Sequence, residues 1–108
     1  MSIAVTPKPP YYAVIFTSIH TLEEKEEYDT ASNRMSELAL NMPGFLGVES
    51  VRDSNGFGIT SVYWKDKESI KAWRNHSEHK IVKKRGRAIW YEKYIVRIAK
   101  VEKDYGKI

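Results

Sequence analysis

Two strand-like runs, Phe45 to Arg52 (FLGVESVR) and Phe57 to Trp64 (FGITSVYW), are separated only by Asp53-Ser54-Asn55-Gly56. Asn-Gly between such runs is a strong short-range signal for a β-hairpin. The middle of the chain is therefore committed to an antiparallel pair, and the flanking segments must build on it. Upstream, Tyr11 to Ile19 (YYAVIFTSI) is rich in β-branched and aromatic residues and apolar on both faces near its middle. That pattern predicts a central strand. Downstream, Ile89 to Val101 (IWYEKYIVRIAKV) alternates well enough for a long last strand, with Tyr94, Val96 and Ile98 on one face.

Two helices complete the order. Thr21 followed by Glu24 fits a capping box, and Glu23, Glu24, Glu26 and Glu27 crowd the positive end of the helix dipole. Tyr28, Ala31, Met35, Leu38, Ala39 and Met42 follow helical spacing until Pro43-Gly44 stops the helix. Asp66 is placed to cap a second helix with Ile70, Trp73 and Ser77 on one face, and Gly86 interrupts the later helical stretch. The result is β-α-β-β-α-β, a ferredoxin-like α+β fold with an antiparallel sheet and helices on one face. Three prolines, Pro7, Pro9 and Pro10, mark residues 1–10 as a flexible lead. The domain spans residues 11–104, and 105–108 form a short tail.

At 108 residues and 42% apolar, the chain can hold one core, but not a deep one. Packing against a second subunit would add stability. The absence of cysteine removes disulfides, thiolate metal sites and cysteine nucleophiles, and suits a reducing compartment. No signal-peptide pattern and no apolar run long enough to span a membrane is present. The expectation is a cytoplasmic protein. Charge is uneven: residues 1–64 carry four Lys/Arg against eight Asp/Glu, net −4, and residues 65–108 carry fourteen against six, net +8. Lys80, Lys83, Lys84, Arg85 and Arg87 run beside Trp90 and Tyr91, which raises the question of nucleic acid. The third strand lacks the Lys/Arg-Gly-aromatic-Gly start of RNA-recognition sheets, so nucleic acid is disfavoured and a solvated basic helix face is the plainer reading.

Several pieces now stand in order: Met42-Pro43-Gly44-Phe45 between first helix and second strand, Tyr63-Trp64-Lys65-Asp66 running into Lys67–Trp73, then His76, His79, Gly86-Arg87 and Val96-Arg97. This arrangement resembles the antibiotic biosynthesis monooxygenase (ABM) family over roughly residues 11–104. The resemblance implies a dimeric α+β barrel and hence a homodimer. It implies either of two chemistries, cofactor-independent oxygenation of an aromatic or quinone-like substrate, or haem binding and degradation. Haem-degrading members have an Asn on the first strand, a Trp on the second helix and an iron-ligating His ten residues later. Trp73 matches the Trp, but Lys83 stands where the His belongs and residues 11–19 contain no Asn. Haem is therefore the disfavoured branch, and no cofactor is expected.

Cofactor-free oxygenation needs a base near neutral pH, donors for a developing oxyanion and an apolar pocket. Histidine suits the base. On a straight helix His76 lies about 60° from Trp73 and His79 about 120°, which favours His76; a break near Ser77–Glu78 would reverse that order. His76, His79 and Arg97 are the catalytic candidates, and Trp73, Trp64 and Arg87 the substrate-binding ones. Taken singly, each has a plainer reading: Trp73 and Trp64 as packing, the histidines as surface residues of a helix. His76 and His79 with Glu78 make a weak zinc signal, so no metal is expected. No nucleophile elbow and no phosphate-binding glycine loop is present. The competing function is a dimer that binds an apolar metabolite without catalysis.

Overall fold

The computed structural model describes residues 2–21 and 23–108. The strands are β1 (Tyr11–His20), β2 (Phe45–Arg52), β3 (Phe57–Trp64) and β4 (Tyr91–Val101). The helices are α1 (Lys25–Leu40), α2 (Lys67–Arg74) and α3 (Ser77–Arg85), and a π-turn at Gly86–Trp90 leads into β4. The four strands form one antiparallel sheet in the order β2-β3-β1-β4. This is the ferredoxin-like arrangement, with the second helical segment split in two.

The hairpin is closed by Asp53 more than by Asn55. The Asp53 carboxylate accepts from the backbone N–H of Asn55 (2.9 Å) and Phe57 (3.0 Å). Only Gly56 in the loop has positive φ, +91°. A two-residue Asn-Gly turn would place both residues there, so the loop is longer than the sequence signal suggests. Further corrections concern helix ends. The expected Thr21–Glu24 box does not form: Thr21 Oγ donates to the Ile89 carbonyl (2.8 Å), and α1 begins after Glu24 in the left-handed region, with no side-chain cap there. Gly86 does not break its helix either. Its backbone is right-handed helical, and Ile89 and Trp90 belong to the π-turn rather than to the last strand.

The strand register defines two faces. Tyr12 and Val14 of β1 pack with Trp64 of β3 against α1 and α2, in a core of Ala39, Trp64, Ile70 and Trp73. Met35, Leu38 and Met42 supply the inner stripe of α1. Residues of opposite parity, including Ala13, Ile15, Phe57, Ile59, Ile95 and Arg97, occupy the face away from the helices. The lead crosses that second face. Ala4 N–H donates to Glu49 (3.0 Å), and Thr6 Oγ donates to Tyr11 Oη (3.0 Å), which in turn donates to Asp104 (2.6 Å). β2 accommodates the lead with Gly47, where a Cβ would come within 3.0 Å of Ala4.

Candidate functional site

The start of α2 is fixed by Asp66, whose carboxylate accepts from Ser69 N–H (2.8 Å) and Ser69 Oγ (2.6 Å). These bonds hold its carboxyl below the ordinary carboxylate range. Gly44, at φ +84°, leaves room for this cap: a Cβ there would overlap Ser69 Oγ. With α2 so placed, Trp73 points inward and meets Trp64 at 6.2 Å between ring centroids. Trp64 is fully buried and available only as support for Trp73.

The helix then stops. His76 takes an extended conformation (φ −60°, ψ 130°) and becomes the N-cap of α3, its Nδ1 accepting from Glu78 N–H at 3.2 Å. The break falls just ahead of Ser77–Glu78. It turns His79 back onto Trp73, where the two rings stack at 4.3 Å and 19°. His76 stands farther off, at 5.8 Å and 46°. His79 Nδ1 lies 2.9 Å from the Trp73 carbonyl. A carbonyl only accepts, so the neutral imidazole carries its proton on Nδ1 and presents a lone pair at Nε2. Burial pushes the His79 pKa down, the Trp73 carbonyl opposes this, and Lys83, His76 and Arg74 add to the lowering.

Not every sequence candidate joins this pair. Arg97 pairs with Ile15 in the β1–β4 register and so lies on the face of the sheet opposite Trp73. Arg87 is exposed on the π-turn, one of the charges, with Arg74 and Lys80, that lower the Lys83 pKa after burial itself. Beside the pair runs an apolar strip. Val14 and Phe16 of β1 lie opposite Ile98 and Val96 of β4, with Tyr94 next along. Tyr94, Val96 and Ile98 remain 43–48% exposed although they face the helix side. α1 and α2 meet the sheet at the core around Tyr12, Val14 and Trp64, and these β4 side chains stay outside that core.

Sequence reasoning missed a second polar cluster at the far end of the same face. His20, Tyr28, Trp90 and Tyr91 form an aromatic group, with His20 and Tyr28 perpendicular at 3.9 Å. Arg52 Nη2 donates to the buried Ser18 Oγ at 2.9 Å. One signal was available: His20 shares the inward parity of Ser18, Phe16 and Val14.

Haem does not fit the residues present. Lys83 occupies the ligand position, and its ammonium donates to the Arg74 carbonyl at 3.2 Å. His79, the nearest histidine to Trp73, already uses one ring nitrogen on that residue's backbone. No group of three or more metal-ligating side chains is gathered among the described residues. No described helix is long and apolar enough to cross a membrane.

Fold and site together define a ferredoxin-like α+β domain with a tryptophan–histidine pair on the helix side of its sheet. The chain belongs to the antibiotic biosynthesis monooxygenase family, whose family model matches residues 10–85. It is 50% identical over 102 residues to the uncharacterized protein YqjZ of Bacillus subtilis, covering 94% of this chain and 89% of that one. Among solved structures, it is similar to Rv0793 of Mycobacterium tuberculosis (TM-score 0.75, 9% identity, 90% and 99% of the two chains). It is also similar to SnoaB of Streptomyces nogalater, a cofactor-independent oxygenase (TM-score 0.71, 12% identity, 91% and 98%). At these identities the structural likeness speaks for the fold.

Proposed function

We propose that this protein is a cofactor-independent monooxygenase of the cytoplasm, active as a homodimer, that oxidises a small phenolic or quinone-like substrate with O₂. The observation that carries the reading is the Trp73–His79 pair. Its backbone bond fixes the tautomer with a free Nε2 lone pair, and its partial burial keeps the ring neutral at working pH. Such a group accepts the proton of a phenol, and the resulting electron-rich anion can pass an electron to O₂. The apolar strip of Val14, Phe16, Tyr94, Val96 and Ile98 offers a bed for the ring. Family membership supports a monooxygenase-type role, and SnoaB, which shares the fold, is a cofactor-independent oxygenase.

The test is O₂ uptake by purified protein with a panel of hydroquinones and hydroxynaphthalenes, beside His79→Gln and Trp73→Phe. Turnover should fall about 10²-fold or more in His79→Gln, the scale of general base catalysis. Binding without O₂ uptake across the panel would leave the protein as a non-catalytic binder. Turnover unaffected by His79→Gln would remove His79 from the reaction.

A further inference from the structure

The Arg52 guanidinium lies across Gly58 of β3: a Cβ at that glycine would come within 2.7 Å of Arg52 Cζ. It spans from the β2 edge to β1, donating to the Gly56 carbonyl and to Ser18 Oγ. Arginine carries five N–H donors, so three are left. No carboxylate lies within ion-pair distance of Arg52 among the described residues. The neighbouring Asp53 carboxylate is engaged by two backbone N–H groups, and Asp29 is the acid felt at His20. A half-buried cation with spare donors and no anion is an incomplete arrangement.

The surroundings are incomplete in the same sense. Two buried side-chain nitrogens lack any partner among the described residues, His20 Nε2 and Trp90 Nε1. Trp90 is only 3% exposed, and indole N–H can only donate. Both rings flank Tyr28, His20 at 3.9 Å and Trp90 at 5.6 Å. Tyr91 is held as a neutral hydroxyl by burial and by the Tyr28 hydroxyl. The corner thus offers a half-buried guanidinium close to these unpartnered nitrogens, with an aromatic wall of Tyr91, Phe16 and half-exposed Tyr94. Tyr94 pairs directly with Ser18, so the wall stands next to the cation.

We propose that this corner binds a small aromatic carboxylate, its carboxylate on Arg52 and its ring against Tyr94. Planar bidentate recognition of a carboxylate is what a guanidinium with free N–H groups does best. Ser18 is four residues along β1 from Val14, roughly 13 Å at strand spacing, so the carboxylate end of the site lies away from the Trp73–His79 pair, while Phe16 and Tyr94 are shared with the proposed substrate bed. The test reads binding alone and needs no turnover.

The test is titration of ¹⁵N-labelled full-length protein with 4-hydroxybenzoate, following the three tryptophan indole signals, with Trp90 assigned through Trp90→Phe. A saturable shift of the Trp90 indole is expected with 4-hydroxybenzoate and not with 4-hydroxybenzyl alcohol. Affinity should drop about tenfold or more in Arg52→Met, as expected for losing a charge-assisted pair, and recover in part in Arg52→Lys. Tyr94→Ala, at an exposed position, should weaken binding with the fold intact, and it stands in if Arg52→Met does not fold. No saturable Trp90 shift, an equal response to the neutral alcohol, or affinity unchanged in folded Arg52→Met or in Tyr94→Ala would overturn the proposal.

Discussion

His20 and His79 sit at opposite ends of the helix side of the sheet, and both have pKa values pushed below 6.5, chiefly by burial. Arg52 lowers His20 further. The sign of the resulting pH dependence is fixed. A histidine that titrates lower in the folded state binds protons more readily when unfolded, so protonation favours unfolding. The stability linked to these two rings is complete above pH 6.5 and is lost as pH falls through their folded values. Urea midpoints should therefore decline from about pH 7 to about pH 5, above the range where most carboxylates titrate. His20→Gln and His79→Gln should each flatten that decline; an unchanged slope in both would show that burial of these rings is not its source. The same shift bears on activity. With His79 as base, the acid limb of kcat/KM falls below pH 6.5, and in His79→Gln that limb disappears.

His79 also marks how far the site was legible at the level of single residues. Trp73 and the two histidines stand out in the sequence, but which histidine faces Trp73 depends on one backbone bend. A continuous helix favours His76, whereas the bend at Asn75–His76 brings His79 round. Asn75 is a helix-ending residue type, and a histidine can cap the next turn through Nδ1, so the bend had a local basis. Arg97 could not have been placed from the sequence, because its face is set by register with a strand some eighty residues away. The same holds for His20 and Arg52: nothing within either segment says that they share one end of the sheet.

Among the elements, the four strands and the first two helices follow from patterning, and what was not legible sits at their ends. Thr21 has the right type for a cap, but its hydroxyl is taken by Ile89 from the far end of the chain. Gly86 reads as a breaker, yet Tyr91 and Trp90 crowd the space its missing side chain leaves, and the helix continues. Gly44 is different, because both φ and space demand glycine there. Gly44→Ala should cost about 1–3 kcal/mol through a left-handed alanine, and the overlap with Ser69 makes the upper end the better expectation. A Tm indistinguishable from the parent would contradict it. α3 is tied to α1 by two forked pairs, Arg34 with Glu78 (3.1 Å, twice) and Arg85 with Glu27. They are exposed and modest in energy, but α3 buries no residue of its own. Replacing Arg34 and Arg85 together by Gln should raise amide exchange in α3 while leaving β1 and β3 protected, as local rather than global opening requires.

For the whole molecule, the core is thin and one face is bare. Among the described residues, the buried apolar ones are Tyr11, Ala13, Ala39, Trp64, Ile70, Trp73 and Trp90. Trp64→Ala, which empties the centre, should cost about 3–5 kcal/mol, a large share of what a domain this size has. On the side of the sheet away from the helices, Val51, Phe57, Ile59 and Ile95 are 39–61% exposed. Phe57 and Ile59 lie opposite Ile19 and Thr17 of β1, and Ile95 flanks Thr17 on the other side, so the patch is continuous across three strands. A contiguous apolar patch on a sheet calls for a cover. The lead covers only the end near Tyr11 and Glu49. A second copy of the same face would cover the rest, which agrees with the dimeric barrel that the family resemblance implies. Sedimentation velocity should therefore give a single species of twice the chain mass at micromolar concentration. Ile59→Glu, which puts a charge amid the patch without touching the helix-side core, should give a folded monomer with a lower Tm, since the dimer's stability includes the interface. A wild-type chain that stays monomeric at hundreds of micromolar, with Ile59→Glu equally stable, would mean that this face is open to water in the native protein.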